Sequence, residues 1–410
     1  MDAAGPPLEV VAGRPLRGGG CEAVLDGRRG VVRHALPGER VRAVVTSAEP
    51  LRLDAVAVLE PSPDRVEEPC PYAKPGRCGG CDWQHAALPA QRRLKGEVVS
   101  DLLGRDVTVE PVPVPGREDD GLGWRTRVQF AVTDDGALGL YRHRSNDVQP
   151  LDRCLIASDG VESVGAEAQR WPVAERVEVI GGSSGDRAVV VTPRRRGGRV
   201  GADVAPEVSV LRGDGRGGAE PVRGRPGVRE RAAGRTWWVS GSGFWQSHVA
   251  APETLVAAVL DALRPEPGDL ALDLYAGVGL FAGALAPLVK RVVAVESYGP
   301  AVADARQNLR DLPNAEAHEG RVDTVLARLG LGRADVVVLD PPRDGAGAAV
   351  IAQVAALGPR RIAYVSCDPG PLARDLRAAE AAGYAATSVR AFDLFPMTWH
   401  VECVALLEPA

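Results

Sequence analysis

The chain has 410 residues, 45% apolar and 25% charged, with a formal net charge of −5. That length predicts about two to four domains. No apolar run approaches the roughly 20 residues of a membrane span, and the acidic balance argues against a bulk nucleic-acid binder. The start, MDAAGPPLEVV, lacks a basic region followed by an apolar stretch, so the expected location is the cytoplasm. Seven cysteines in such a reducing compartment read as metal ligands or catalytic thiols, not as disulfides. The charge is uneven: residues 121–240 hold 19 Arg against 15 Asp and Glu, so a local basic face is expected.

Residues 8–60 read as short alternating segments divided by Gly and Pro turns, which predicts a small antiparallel barrel. CPYAKPGRCGGCDWQH follows, with Cys70, Cys78 and Cys81 within twelve positions, and then a helical stretch, LPAQRRLKGEVVSDLLG. Strand patterning returns over 124–156. The Gly-, Pro- and Arg-rich stretch 193–235 reads as a solvated connection around one short strand, VSVLR, with an RNA-contacting loop as the minority reading. From about 236 the runs ALDLY, VVAVE, VVVLD and IAYVS alternate with helical stretches, the pattern of a doubly wound α/β sheet whose ligands sit beyond the strands' carboxyl ends.

The first of those strands enters DLYAGVGLFAGALA, where Gly277 and Gly279 permit a sharp turn before a helix. Glu296 ends the next strand, 23 positions after Asp273, and can accept hydrogen bonds from ribose hydroxyls. This pattern alone admits NAD as well as S-adenosylmethionine. VVVLDPPR then sets Asp340 and a rigid proline turn at a later strand end. Arg343 stands where a DPPY-type amine methyltransferase has an aromatic ring.

YVSCDPGPLARDL carries Cys367 at a strand tip with a helix starting near Pro371, a position expected to lower the thiol pKa. A thiol beside a methyl donor suits C5 methylation of a pyrimidine: addition at C6 makes C5 nucleophilic, and a base then removes the C5 proton. Near the C-terminus, FPMTWHVECVALLEP offers Glu402 as that base, a carboxylate inside an apolar run, with His400 as its local competitor. Cys403 is expected to face the core.

GFWQSH, DLYAGVG, AVE, LDPPR, VSCDPGPLARDL and HVECVALL together resemble the bacterial RNA uracil-C5 methyltransferase family, over nearly the whole chain. The resemblance implies S-adenosylmethionine binding by Gln246, Tyr275, Glu296 and Asp340, beside Gly277 and Gly279, with Cys367 as nucleophile and Glu402 as base. It implies a Rossmann-like class I methyltransferase domain (236–410), a TRAM-like RNA-binding barrel (1–62) and a central α+β RNA-binding domain (63–235) in which Arg125, Arg127 and Arg142 contact RNA. In cluster-bearing members three cysteines join a distant fourth to hold [4Fe–4S]. Here Cys70, Cys78 and Cys81 would join Cys154, while spacing alone suits a four-cysteine zinc site equally.

Four positions depart from the family pattern. The first cysteine gap is seven residues, longer than the usual five. Asp368 replaces the usual Asn after the nucleophile, where its charge disfavours a thiolate. His248 replaces an Asn, and Arg321 stands where many methyltransferases place Asp or Asn near adenine. The expected function is C5 methylation of uridine in structured RNA, 23S ribosomal RNA ahead of tRNA, by a monomer without membrane or DNA partners. The rival readings are an RNA cytosine-C5 methyltransferase, whose usual TCxxxP-like second cysteine motif is absent, and an RNA-binding iron–sulfur protein without catalysis.

Overall fold

The computed structural model describes residues 6–195, 197–241 and 243–410. The opening MDAAG, read above for a leader, and Arg196 of the arginine-rich stretch lie outside the described residues. Residues 8–60 form a five-stranded sheet in the order Leu8–Val11, Arg40–Ala48, Leu51–Glu60, Arg28–Arg33, Cys21–Leu25. Alternation sends Val10, Ala23, Val32, Val41 and Leu53 into one core. The edge strands are joined just past the end of Leu8–Val11, where Gly13 N–H donates to Glu22 O (2.7 Å) and Glu22 N–H to Arg14 O (2.9 Å). The turn between them, Arg17–Gly20, ends in glycines because space is short: a Cβ on Gly19 would lie 2.6 Å from Asp82 Cβ, and Gly19 itself has φ +80°.

The central sheet has seven strands, in the order Ala219–Arg223, Ser209–Gly213, Arg187–Pro193, Ala174–Gly181, Arg127–Val132, Leu138–Tyr141, Val148–Pro150. The stretch read as a solvated connection around VSVLR therefore supplies two strands. VSVLR pairs parallel to Arg187–Pro193, and the GDGRGG turn after it is closed by Asp214 Oδ1, which accepts N–H bonds from Arg216 (2.7 Å) and Gly218 (2.9 Å). A hairpin, Gly227–Ala232 with Arg235–Ser240, completes the same stretch. Its glycines and arginines hid an alternation visible only once the partner strands are known.

The large sheet has eight strands, ordered Ala315–Glu319, Arg291–Glu296, Leu270–Leu274, Val336–Leu339, Arg361–Ser366, Glu402–Pro409, Tyr384–Asp393, Val109–Pro111. The first five run parallel, and Glu402–Pro409 lies antiparallel to both neighbours. Both faces are covered, so the parallel strands read as continuous apolar runs. Ala271, Val292 and Ala294 face a core shared with helices Ala251–Leu263 and Leu280–Leu285. Leu272, Val293 and Val295 face the core of helices Val322–Leu329, Ala348–Ala356 and Pro369–Ala381. The helix Leu88–Leu103 begins with Pro at its first turn and stops at Gly104 in the left-handed region. It packs on this second face, and Val109–Pro111 beyond it closes the sheet edge beside Tyr384–Asp393. Among the described residues no helix is long and apolar enough to cross a membrane.

Helix Leu280–Leu285 is pressed against the fully buried Trp237 so tightly that a Cβ on Gly283 would lie 2.3 Å from the indole. Gly283→Ala is therefore expected to destabilise the protein by about 1–3 kcal/mol through overpacking, read as a lower urea midpoint at unchanged slope.

Candidate active site

The carboxyl ends of the parallel strands open on a cavity of about 830 Å3. Tyr275, Gly277, Glu296, Asp340, Cys367 and Glu402 line it, and Gln246 enters from the segment after the hairpin. The turn after Leu270–Leu274 is tight: Tyr275 has φ +66° and Gly277 φ +53°, the first a strained value for a residue with a side chain. Both Tyr275 N–H (2.9 Å) and Ala276 N–H (3.0 Å) donate to Val295 O, holding that turn to the neighbouring strand. Gly279, set back from the cavity, precedes helix Leu280–Leu285 with φ +90° and faces Leu309 and Ala305.

Three carboxylates meet at these strand ends. Asp273 Oδ2 accepts from Ala282 N–H (2.7 Å), while its buried Oδ1 has no partner among the described residues. Burial, with Asp340 and Glu296 adding, pushes this carboxyl up to about 7. Glu296 accepts N–H bonds from Ser297 (2.6 Å), Tyr298 (2.7 Å) and Gly277 (3.0 Å). Asp340 makes no side-chain hydrogen bond among the described residues, and burial followed by repulsion from Glu296 pushes it up to about 7. Such a cavity favours a cationic ligand with hydroxyl groups.

Cys367 and Glu402 sit on adjacent antiparallel strand ends. The thiol is pushed up to about 12 by burial, then by Glu402, Asp340 and Asp368, with Arg343 opposing. The expectation that the helix terminus would lower it is overturned, because burial and three carboxylates outweigh the partial charge of one helix end. Glu402 is 4% exposed and held well above the usual carboxylate range by burial and Asp340, again against Arg343. His400 stacks on Trp399 with ring centroids 4.3 Å apart and is not among the cavity-lining residues; burial and Arg343 push it down to about 4. Cys403 is fully buried in the core of the helix-covered face. Phe244, Asp323 and Arg343 also line the cavity and were not assigned from sequence. Asp323 carried a signal, two positions from Arg321, which stands where many methyltransferases have Asp or Asn and whose guanidinium binds it at 2.8 Å.

The approach to Glu402 is held from outside the large sheet. Buried Lys95 donates to Asp393 Oδ1 (2.6 Å) and Phe395 O (3.0 Å). Met397, with φ +68°, donates its N–H to Gln91 Oε1 (2.8 Å), and its O accepts from Asp82 N–H (2.9 Å) and Trp83 N–H (3.0 Å). Asp82 Oδ2 accepts Trp399 N–H at 3.3 Å. The cysteine-rich segment and helix Leu88–Leu103 thus fix the chain five residues ahead of Glu402.

The four expected metal ligands lie close together but are not assembled. Cys78, Cys81 and Cys154 pack on one core that includes Trp124, and each responds to the charge of another of the four: Cys78 to Cys70, Cys81 to Cys154, Cys154 to Cys78. Among the described residues no group of three or more His, Cys, Asp or Glu side chains is arranged to hold a metal ion. Burial holds the Cys78, Cys81 and Cys154 thiols above their ordinary value.

The three arginines also differ from a simple solvent-facing set. Arg125 is half-buried, its Nε donating to Arg127 O (2.9 Å) and its guanidinium 6.0 Å from the Trp124 ring centroid. Arg127 is 9% exposed and binds Gly243 O, so it ties the central sheet to GFWQSH. Arg142 has a buried, unpartnered Nε and bridges Cys78 through its backbone.

Removing one partner of the buried Lys95–Asp393 pair leaves an uncompensated charge. Lys95→Met is expected to cost about 3–5 kcal/mol, measured by urea unfolding, with Lys95→Met/Asp393→Leu recovering most of the loss.

Residues 321–410 match the family model described as tRNA (Uracil-5-)-methyltransferase. An uncharacterized RNA methyltransferase of Streptomyces coelicolor is 50% identical over 99% of this chain and 93% of its own length. Another, from Bifidobacterium longum, is 35% identical over 95% of this chain and 93% of its own. Among solved structures, the Pyrococcus abyssi tRNA (uracil-54, C5)-methyltransferase in complex with S-adenosyl-L-homocysteine aligns with a TM-score of 0.74 at 24% identity, covering 97% of this chain and 99% of that one.

Proposed function

The chain belongs to the RNA methyltransferases whose catalytic region carries the tRNA (uracil-5-)-methyltransferase signature, and on that premise we propose that it methylates C5 of a uridine in structured RNA, using S-adenosyl-L-methionine. The observation that carries the reading is one cavity lined by a thiol, a buried carboxyl opposite it, and the carboxylates of Glu296 and Asp340. The donor set fits the cofactor: an unpartnered Asp273 oxygen lies behind the glycine turn, and a Cβ on Gly277 would meet nothing within 4 Å, leaving room for close approach. When bound, S-adenosylmethionine supplies a methyl group on a positively charged sulfur. Glu296 would hold its ribose hydroxyls, and Gln246, Tyr275, Gly277 and Asp340 would form the rest of its seat, with Gly279 shaping the turn.

Cys367 Sγ adds to C6 of the uracil, and the 5,6 double-bond pair moves toward O4 as an enolate. C5 would then take the methyl group as its bond to the cofactor sulfur breaks, leaving a neutral thioether. Glu402 removes the C5 proton, and the C6–S bond breaks as the double bond reforms, releasing Cys367 as a thiolate. Burial and neighbouring carboxylates raise both groups above their ordinary values. A cation seated beside Asp340 offsets part of that negative field and favours ionisation of both, so cofactor binding prepares the nucleophile and the base together.

The N-terminal sheet and the central sheet are proposed as RNA-binding units over 1–62 and 63–235, the first TRAM-like, with the methyltransferase domain over 236–410. Arg125 and Arg142 are proposed to reach RNA, and Arg127 to fix Gln246 in place. The favoured substrate is 23S ribosomal RNA, with tRNA second; the enzyme acts as a cytoplasmic monomer. Cys70, Cys78, Cys81 and Cys154 are proposed to hold a structural [4Fe–4S] cluster, with zinc as the alternative. The mutual proximity of these thiols supports this, as does the clamp their segment places on Met397.

Nucleoside mass spectrometry after incubation with methyl-labelled cofactor and unmodified transcripts tests the reaction. The expected product is 5-methyluridine from the wild type and none from Cys367→Ala. Glu402→Gln is expected to accumulate a covalent RNA–protein adduct, because elimination needs the C5 proton removed. Label on cytidine, or no label with cofactor bound, would sink the proposal. For the cysteines, anaerobically purified protein is expected to carry iron and acid-labile sulfide in equal amounts, both lost in Cys154→Ser; zinc without sulfide would replace the cluster by a zinc site.

A further inference from the structure

The N-terminal sheet touches the catalytic turn at one ion pair. Arg17, at the head of the RGGG turn, donates through Nε to Asp368 Oδ1 (2.9 Å), and its Nη2 binds Oδ2 of the same carboxylate. The Asp368 side chain is 7% exposed, follows Cys367 directly and caps helix Pro369–Ala381 by accepting Gly370 N–H (3.0 Å). Arg17 also lies 5.6 Å from the Trp399 ring centroid, in the segment leading to Glu402. Its turn is seated firmly, since Gly19 O accepts Trp83 Nε1–H at 2.9 Å. Asp368 stands where the family resemblance expects a neutral Asn, so this chain has added a buried negative charge beside its thiol and, 351 positions away, a cation that meets it.

We infer that Arg17 and Asp368 are a positioning pair through which docking of the N-terminal sheet sets the charge felt by Cys367. Neither residue touches the reacting atoms. The charged groups acting on the thiol are Glu402 on the adjacent strand, Asp340 and Arg343 after Val336–Leu339, and Asp368 on its own turn. Of these carboxylates, Asp368 is, among the described residues, the one that the turn of the N-terminal sheet holds. With Arg17 in place the pair is close to neutral. Loss of the Arg17 contact leaves the Asp368 charge uncovered and disfavours the thiolate. The inference rests on Cys367 being the nucleophile, but its test does not.

The test follows alkylation of Cys367 by iodoacetamide, peptide by peptide, across about pH 6–10 in the full-length protein. In Arg17→Ala the rate at about pH 8 is expected to fall about tenfold, the equivalent of one pKa unit. In Asp368→Asn it is expected to rise above wild type, because Asn keeps the helix cap and leaves Arg17 facing the thiol. Arg17→Ala/Asp368→Asn is expected to return to at least the wild-type rate. The pH profile of kcat/KM should move in step with alkylation if the methyl-transfer proposal holds; alkylation shifts without any methylation would refute that proposal and leave this one intact. A contact that only glues the sheet in place would lower the melting temperature of Arg17→Ala and leave all alkylation profiles superimposed, which would overturn the inference. Should Arg17→Ala fail to fold, an unshifted Cys367 profile in Asp368→Asn would overturn it alone.

Discussion

Negative charge concentrated at buried strand ends is the constraint to which the rest of this structure answers. Asp273, Glu296 and Asp340 stand at the carboxyl ends of three strands and Glu402 starts a fourth. Glu296 raises Asp273 and Asp340, Asp340 raises Asp273, Glu402 and Cys367, and Glu402 raises Cys367. Ionised and unpaired, such a set is strongly unfavourable. The chain answers it with three backbone N–H donors on Glu296, one on Asp273, and the guanidinium of Arg343 acting on both Cys367 and Glu402. What remains uncompensated is negative charge on Asp340 and Glu402, which an incoming positive charge would offset.

Holding those groups in register takes strain. Tyr275 and Met397 both lie in the left-handed region, each immediately ahead of a functional stretch. Neither position is stabilised by its own sequence neighbours. Tyr275 is held by Val295 on the next strand, and Met397 by Gln91, Asp82 and Trp83 from the segment before the central sheet. The machinery is therefore local at its reacting atoms and long-range in its supports.

That division explains what the sequence made legible. The residues gathered round the cavity follow a strand–turn–helix rhythm in which function sits at strand ends, so Gly277, Glu296, Asp340 and Cys367 were readable from pattern and spacing. Tyr275 and Gln246 came only from the family resemblance. The supports were not readable, because Arg17 with Asp368 and Lys95 with Asp393 are each about 300 positions or more apart. A faint signal existed for Lys95, one of three lysines in a chain that otherwise uses arginine. VSVLR was legible as a short strand, but Ala219–Arg223 after it was missed for a related reason: its run is short, and its meaning depends on the antiparallel partner at 209–213. The direction of the Cys367 shift was misjudged because one helix terminus was weighed without the carboxylates that only the fold brings beside it.

Val109–Pro111 has a consequence for how the molecule is made. It fills the last place in a sheet whose other seven strands begin at residue 270, and its neighbour there ends at residue 393. During synthesis, this strand and the helix before it emerge early and wait for nearly the whole remaining chain before their partners exist. The catalytic sheet is thus closed by a piece of polypeptide older than itself. A chain cut at residue 236 would leave Tyr384–Asp393 as a bare sheet edge, open to pairing with other molecules. Evolution can therefore exchange or trim the outer sheets only with difficulty: the stretch that links them to the catalytic sheet is also part of its wall.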